Sequence, residues 1–243
     1  SNELVLSGIE KVTKLNGMTF EDFDVSRKRK FNNTTISMIV LSESATDDVK
    51  NDLFERINRG SDNLRGMETR KGVYRGKFTD FLYNECACQQ TFRDSLKLSK
   101  TVQKRQEYEE LVLRFFALTD TYPKYSEFSR SVSKALDRYM SEKRDDFSDE
   151  EKVKKLESFN SMVSFVLSNF EHGFLKGPGK DVSRIFFEAI SVGSHMALLE
   201  DPSLVLRKKI DVQFWLRDRD FNKSVNGDYR THSSENLQRR IDF

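Results

Sequence analysis

A mainly α (α+β) fold, with a short β segment near the N-terminus followed by a helical bundle, is what this sequence predicts. Three observations carry that prediction. The 243 residues include 20 Phe but only 3 Pro and 11 Gly, a composition with a large aromatic core and few turns. From Ser44 onward apolar residues recur three and four apart, the period of an amphipathic helix. One convincing β-branched run, Thr34 to Leu41, stands before them.

In chain order, Leu4-Val5-Leu6 is a weaker strand candidate, and Gly17 to Phe23 reads as one helical turn. The basic run Arg27-Lys28-Arg29-Lys30 either faces phosphate or forms a solvated helix face leading into the strand. Ser44 and Asp47 cap a helix whose apolar positions are Val49, Leu53, Phe54 and Ile57, ending at Gly60. Helices follow from Met67 to Tyr74 and from about Phe78, with Phe81 and Leu82 inward. Tyr108, Leu111, Val112, Phe115, Phe116 and Leu118 make the broad apolar surface of a central helix. Ser126 to Lys143 reads as one amphipathic helix, and Ser148 with Glu151 forms a capping box before Val153, Leu156, Phe159, Met162, Val163, Val166 and Phe170. After the break at Gly177-Pro178-Gly179, Asp181 is the expected N-cap of a helix carrying Ile185, Phe186, Ala189, Ile190 and Met196. Helices over Leu204 to Phe221 and Ser234 to Phe243 complete the pattern.

Charged residues are 33% of the chain yet nearly cancel, leaving a formal +2, so bulk charge does not announce a nucleic-acid or membrane partner. No run approaches the roughly 20 apolar residues that span a bilayer, and the N-terminus shows no signal-peptide pattern. Cys86 and Cys88 are too close for an ordinary disulfide and too few for a structural zinc site, so both are expected to be buried thiols in a reducing cytoplasm.

Chemistry is best placed around residues 54 to 77. Asn58 lies one helical turn after Phe54, at the border of the apolar stripe, where its amide can fix a base, a ribose or a phosphate-bound water, or brace a loop. Arg56, Arg59, Arg65, Arg70, Lys71, Arg75 and Lys77 outnumber Glu55, Asp62 and Glu68, a balance suited to a phosphate. Some of these arginines also have carboxylates at i, i+4 spacing, Asp52 with Arg56 and Glu55 with Arg59.

Phe54-Glu55-Arg56-Ile57-Asn58-Arg59-Gly60, Leu64, Glu68-Thr69-Arg70 and Tyr74-Arg75-Gly76-Lys77-Phe78 resemble the second block of the DGQQR-motif domains of GmrSD-type restriction enzymes. Those domains are related to the ParB and sulfiredoxin-like fold. The resemblance implies that residues 1–90 are the C-terminal part of a ParB-like N-terminal domain and 91–243 a helical domain. It implies a bacterial defence role in restriction or antiphage immunity, binding of a nucleoside triphosphate with magnesium, and DNA as target. A Phe-x-x-x-Asn helix of that family is matched at Phe54 and Asn58, so these, with the neighbouring Arg56, Arg59 and Arg70, are expected to bind nucleotide, and Arg65, Lys71, Arg75 and Lys77 of the basic cluster are expected to bind DNA. The Asp-Gly-Gln-Gln-Arg element itself is absent from the 243 residues, so no catalytic residue is assigned. The resemblance then implies that an N-terminal segment or a partner subunit supplies it. The competing reading is a non-catalytic DNA-binding or assembly module.

Elsewhere, Gly177-Pro178-Gly179-Lys180 lacks Walker spacing and reads as a turn between helices. His172, His195 and His232 have no second ligand at metal spacing, and Glu109 and Glu110 diverge by about 100° on a helix, too far to act as a catalytic pair. Arg207-Lys208-Lys209, Arg217, Arg219, Arg239 and Arg240 form a second basic set, in which Phe214 and Trp215 either stack bases or pack in the core.

Overall fold

The computed structural model describes residues 4–9, 12–35, 38, 66–179, 182–226 and 231–243. The chain forms two compact units, Ser1–Ala45 and Thr46–Phe243. Their described residues contain twelve α-helices and no β-strand, so the protein is mainly α as its composition predicts. The short β segment is not seen among them. Leu6 exchanges backbone hydrogen bonds with Gly17 and Met18, at 2.7 and 2.9 Å, instead of entering a ladder. Most of the Thr34 to Leu41 run, and the helix expected to end at Gly60, lie outside the described residues.

In the first unit, helix α1 (Val25–Asn32) starts at Asp24, whose carboxylate accepts the Arg27 N–H. The basic run therefore occupies a helix, and that helix buries none of its residues. Phe20 packs against Phe23 and Phe31 with ring centroids 6.0 and 5.2 Å apart.

In the second unit, α2 (Gly66–Val73) and α3 (Lys77–Phe81) are followed by one wide π-turn, Leu82–Cys86. Short helices α4 (Gln90–Leu96) and α5 (Lys100–Gln103) lead to α6 (Glu107–Thr121). Every residue of α6 from Tyr108 to Leu118 is buried, including Glu109, Glu110 and Arg114. A helix hydrophobic nearly all round has to lie inside a bundle, and α6 does. The boundary expected at residue 90 falls inside this unit, because one aromatic core runs across it: Phe81 meets Phe116 at 5.6 Å, and Phe92 meets Phe159 at 5.1 Å.

The expected helix over 126–143 is two helices, α7 (Ser126–Arg130) and α8 (Val132–Asp145). Ser131 between them is extended, and its hydroxyl accepts the Lys134 N–H, so a cap interrupts a pattern that reads as continuous. Helix α9 (Asp149–Asn169) begins as predicted, with Ser148 Oγ accepting the Glu151 N–H at 3.1 Å. Helix α10 (Arg184–Glu200) follows Ser183, while Asp181 lies outside the described residues. It packs on α6 and α9. The expected helix over 204–221 is not one. After an isolated parallel bridge between Phe170 and Ile210, the chain makes a single 3-10 turn, Trp215–Arg217. Asp218 then starts α11 (Arg219–Val225) by accepting two backbone N–H groups. Helix α12 (Ser234–Asp242) closes the bundle against α10 and α11.

Candidate functional site

Helical spacing puts the charged residues of four helices on one side of α6. On α6 itself Glu107, Glu110 and Arg114 lie three and four residues apart, hence on one face. Ser133 and Asp137 on α8, and Arg184 and Glu188 on α10, repeat the i, i+4 step. Together with Arg70 of α2 they form an alternating chain of ion pairs. Asp137 accepts Arg70 Nε at 2.7 Å, and Arg70 Nη1 donates to Glu110 at 2.9 Å. Glu110 accepts Arg114 Nε at 2.9 Å, and Arg114 Nη1 donates to Glu188 at 2.6 Å. The other Glu188 oxygen accepts Arg240 Nη2. The chain runs from the partly exposed Asp137 to Arg240, which is 1% exposed.

Burial pushes the Glu188 carboxyl up, but Arg240 and Arg114 outweigh it and hold its pKa below the ordinary value of 4.5. Glu109, which faces a different way and has Arg93 at 3.7 Å, is instead raised by burial. The two adjacent glutamates therefore have separate partners, as their angular divergence predicts.

Beside the chain of ion pairs lies a cavity of about 550 Å³. Gly66 and Met67 at the start of α2 line it with Arg70, Arg105, Arg114, Arg184, Glu107, Glu110 and Ser133. Four arginines face two glutamates. Arg184 grips Glu107 with two bonds of 2.6 Å, and this pairing raises its pKa. At the rim, Gln106 has φ +58°, a left-handed conformation uncommon outside glycine and Asn, between Arg105 and Glu107. Its side-chain oxygen accepts the Tyr83 hydroxyl, which holds it there.

Of the residues expected to bind nucleotide, Arg70 reaches this cavity, while Phe54, Arg56, Asn58 and Arg59 lie outside the described residues. All Arg70 nitrogens are engaged: Nε by Asp137, Nη1 by Glu110, and Nη2 by the Ser133 hydroxyl and carbonyl. Of the residues expected to bind DNA, Arg65 lies outside the described residues, and Lys71, Arg75 and Lys77 are exposed. Lys71 Nζ sits 4.3 Å over the Tyr83 ring, and Lys77 pairs with Asp149 at 3.2 Å. Glu110, Arg114, Glu188 and Arg240 carry the network, and sequence reading missed that role. The signal was available in α6, where charged residues interrupt a stretch otherwise apolar on every side.

The remaining sequence readings divide. Cys86 is buried and its thiol pKa is pushed up by burial, but Cys88 is exposed, so the expectation of two buried thiols is corrected. Trp215 packs among Phe170, Phe221 and Phe243, while Phe214 stays 57% exposed under the Arg217 guanidinium. Sequence spacing isolates His172, yet the bridge at Ile210 brings Asp211 to it. Ligand atoms of Glu171, His172 and Asp211 lie within 4.8 Å of one another. Three ligands, one of them exposed, make an open half-shell that a divalent cation could use and that carries no assignment by itself.

Among the described residues no helix is long and apolar enough to cross a membrane. The site thus defines a helical protein with a buried ion network beside an arginine-lined cavity. Comparison with protein-family models, curated proteins and solved structures finds no match for this chain.

Proposed function

We propose that the chain is a portion of a cytoplasmic, bacterial defence-associated protein that binds a nucleoside triphosphate and targets DNA, with the phosphates lying in the arginine-lined cavity. The observation that carries this reading is the convergence of Arg70, Arg105, Arg114 and Arg184 on one cavity. Of the residues that resemble the nucleotide-binding family, Arg70 lines that cavity. Arg70 acts here as the brace that holds Glu110 and Ser133 in place. Arg105 and Arg184, nearer solvent, meet the phosphates. Magnesium arrives with the nucleotide, since Glu107 and Glu110 are engaged by arginines. The Asp-Gly-Gln-Gln-Arg element comes from outside the 243 residues, from an N-terminal segment or a partner subunit, so hydrolysis by this chain alone is slow.

Calorimetric titration with ATP and GTP in magnesium tests the reading. Arg184→Ala and Arg105→Ala are each expected to lower affinity about tenfold, the value of one charge-assisted contact. A chain that takes up neither nucleotide at millimolar concentration rejects it.

A second reading, a non-catalytic DNA-binding module, is favoured by Phe214. Its exposed ring, with Arg217 4.5 Å above it and the exposed Arg207, Lys208 and Lys209 nearby, has the make-up of a base-stacking platform. Four phosphate contacts give a log–log salt slope of about −3 on single strands. Phe214→Ala is expected to weaken binding by about 1–3 kcal/mol. Absence of oligonucleotide binding at low salt removes this reading.

A further inference from the structure

A second cavity, of about 490 Å³, is lined by residues of α10, α12 and the irregular segment that follows α10. Its wall is mostly apolar, with Phe165, Ile190, Leu204, Leu206, Trp215 and Phe243 among its residues. The start of the helix expected over Leu204 to Phe221 runs irregularly here, and Leu204, Leu206 and Ile210 line this space.

Two buried polar residues also line it. Ser194 is 5% exposed and Arg240 1% exposed. Each keeps an atom without a hydrogen-bond partner, Ser194 Oγ and Arg240 Nε, and among the described residues these are the buried side-chain atoms left in that state. Native proteins rarely leave such donors unmet, because a buried N–H or O–H without an acceptor loses its water and gains nothing in return. The rest of the Arg240 guanidinium is satisfied by Glu188 and by the Ser224 and Thr231 carbonyls. Two unmet donors thus belong to residues that line an apolar chamber, and a few polar groups in an apolar wall are the usual make-up of a small-molecule site.

Charge decides the class of occupant. The positive charge of Arg240 is already met by Glu188, which shares its two oxygens between Arg240 and Arg114. The other charged groups lining the cavity are Glu200 and Asp242, both acidic, and Asp242 accepts the hydroxyl of Tyr122, which also lines it, at 2.8 Å. A carboxylate ligand would bring a further negative charge into a chain of pairs that already balances. An uncharged acceptor supplies the missing hydrogen bonds without that cost.

We propose that this cavity binds an uncharged, largely apolar small molecule through a carbonyl-type oxygen that accepts from Arg240 Nε and Ser194 Oγ. The site is independent of the nucleotide reading and shares no lining residue with the first cavity.

Trp215 is the single tryptophan of the chain and lines the cavity, so its emission reports occupancy directly. The full chain is titrated with benzylacetone, butylbenzene and hydrocinnamate, which share a phenyl-alkyl body and differ in the acceptor. Benzylacetone is expected to shift the emission saturably and to bind about tenfold more tightly than butylbenzene, the difference one hydrogen bond to a charged donor makes. Hydrocinnamate is expected to bind more weakly than the ketone. Ala197→Phe, placed to fill the space, is expected to abolish the signal with helical circular dichroism unchanged. Ser194→Ala is expected to lower ketone affinity several-fold, leave butylbenzene unaffected, and raise the melting temperature of the ligand-free protein by removing an unmet hydroxyl. Equal affinities for ketone and hydrocarbon, tighter binding of the carboxylate, or no saturable signal would each overturn the proposal. In the last case the two donors are met by water alone.

Discussion

Glu188→Gln is expected to destabilise the second unit by about 3–5 kcal/mol. The substitution keeps the shape of the side chain and removes the charge, leaving Arg240 buried without its carboxylate partner and Arg114 with Glu110 alone. Removing one partner of a buried network costs far more than the network contributes, because desolvation of the survivors is no longer compensated. Chemical denaturation measures the loss, with Glu127→Gln as the control. Glu127 pairs with Arg138 on the surface, so that change is worth no more than about 1 kcal/mol. Equal effects of the two substitutions would show that the Glu188 network is not the structural brace described above.

Acid response has the same origin. The folded pKa of Glu188 lies below its unfolded value, so its contribution is present above pH 4.5 and is lost as pH falls through the folded pKa. His195 and His232 share that sign. Burial lowers both below 6.5, so they favour folding above 6.5 and oppose it as pH falls and the unfolded chain takes up protons first. Glu109, with its pKa raised, works in the opposite sense just above 4.5, and its contribution is lost as pH rises through its folded value. Stability is therefore expected to fall between about pH 7.5 and about pH 6, where the histidines alone among these groups titrate.

Phe92→Ala should cost about 3–5 kcal/mol by loss of apolar contact and by the cavity left behind. Phe92 is fully buried, and its ring meets those of Tyr108, Phe159, Phe174 and Phe187 edge to face, at centroid distances from 5.1 to 6.4 Å. Four partners from separate elements cannot all close over one vacated ring. Phe92→Leu fills most of the space and is expected to cost less than half as much. A urea midpoint unchanged by Phe92→Ala would place the core elsewhere.

Helices that carry their own boundary chemistry were legible in the sequence. Ser148 before the α9 period, and the continuous apolar face of α6, state their elements within a few residues. The break at Ser131 was not legible, because the apolar period continues across it and only the serine hydroxyl turning to its own helix start ends α7. Leu204 to Phe221 misled because its apolar residues keep helical spacing while facing a cavity from irregular backbone. At the candidate site, Arg70 announced itself within a basic block, but its meaning lay in partners the block does not contain. Arg70 and Glu110 are 40 residues apart, Arg114 and Glu188 are 74 apart, and Glu188 and Arg240 are 52 apart. Pairs at such separations leave no period, and each member looks like an ordinary surface charge until the fold brings them together.

The last of those separations also bears on the order in which the protein can be made. A ribosome delivers α10, with Glu188 on its inward face, long before it delivers α12. Until residue 240 emerges, that carboxylate has Arg114 alone as a partner, and α10 cannot seat fully without leaving one oxygen unmet in the interior. Co-translational folding is therefore expected to seat α10 fully only once the arginine of α12 arrives, a late and charge-directed step.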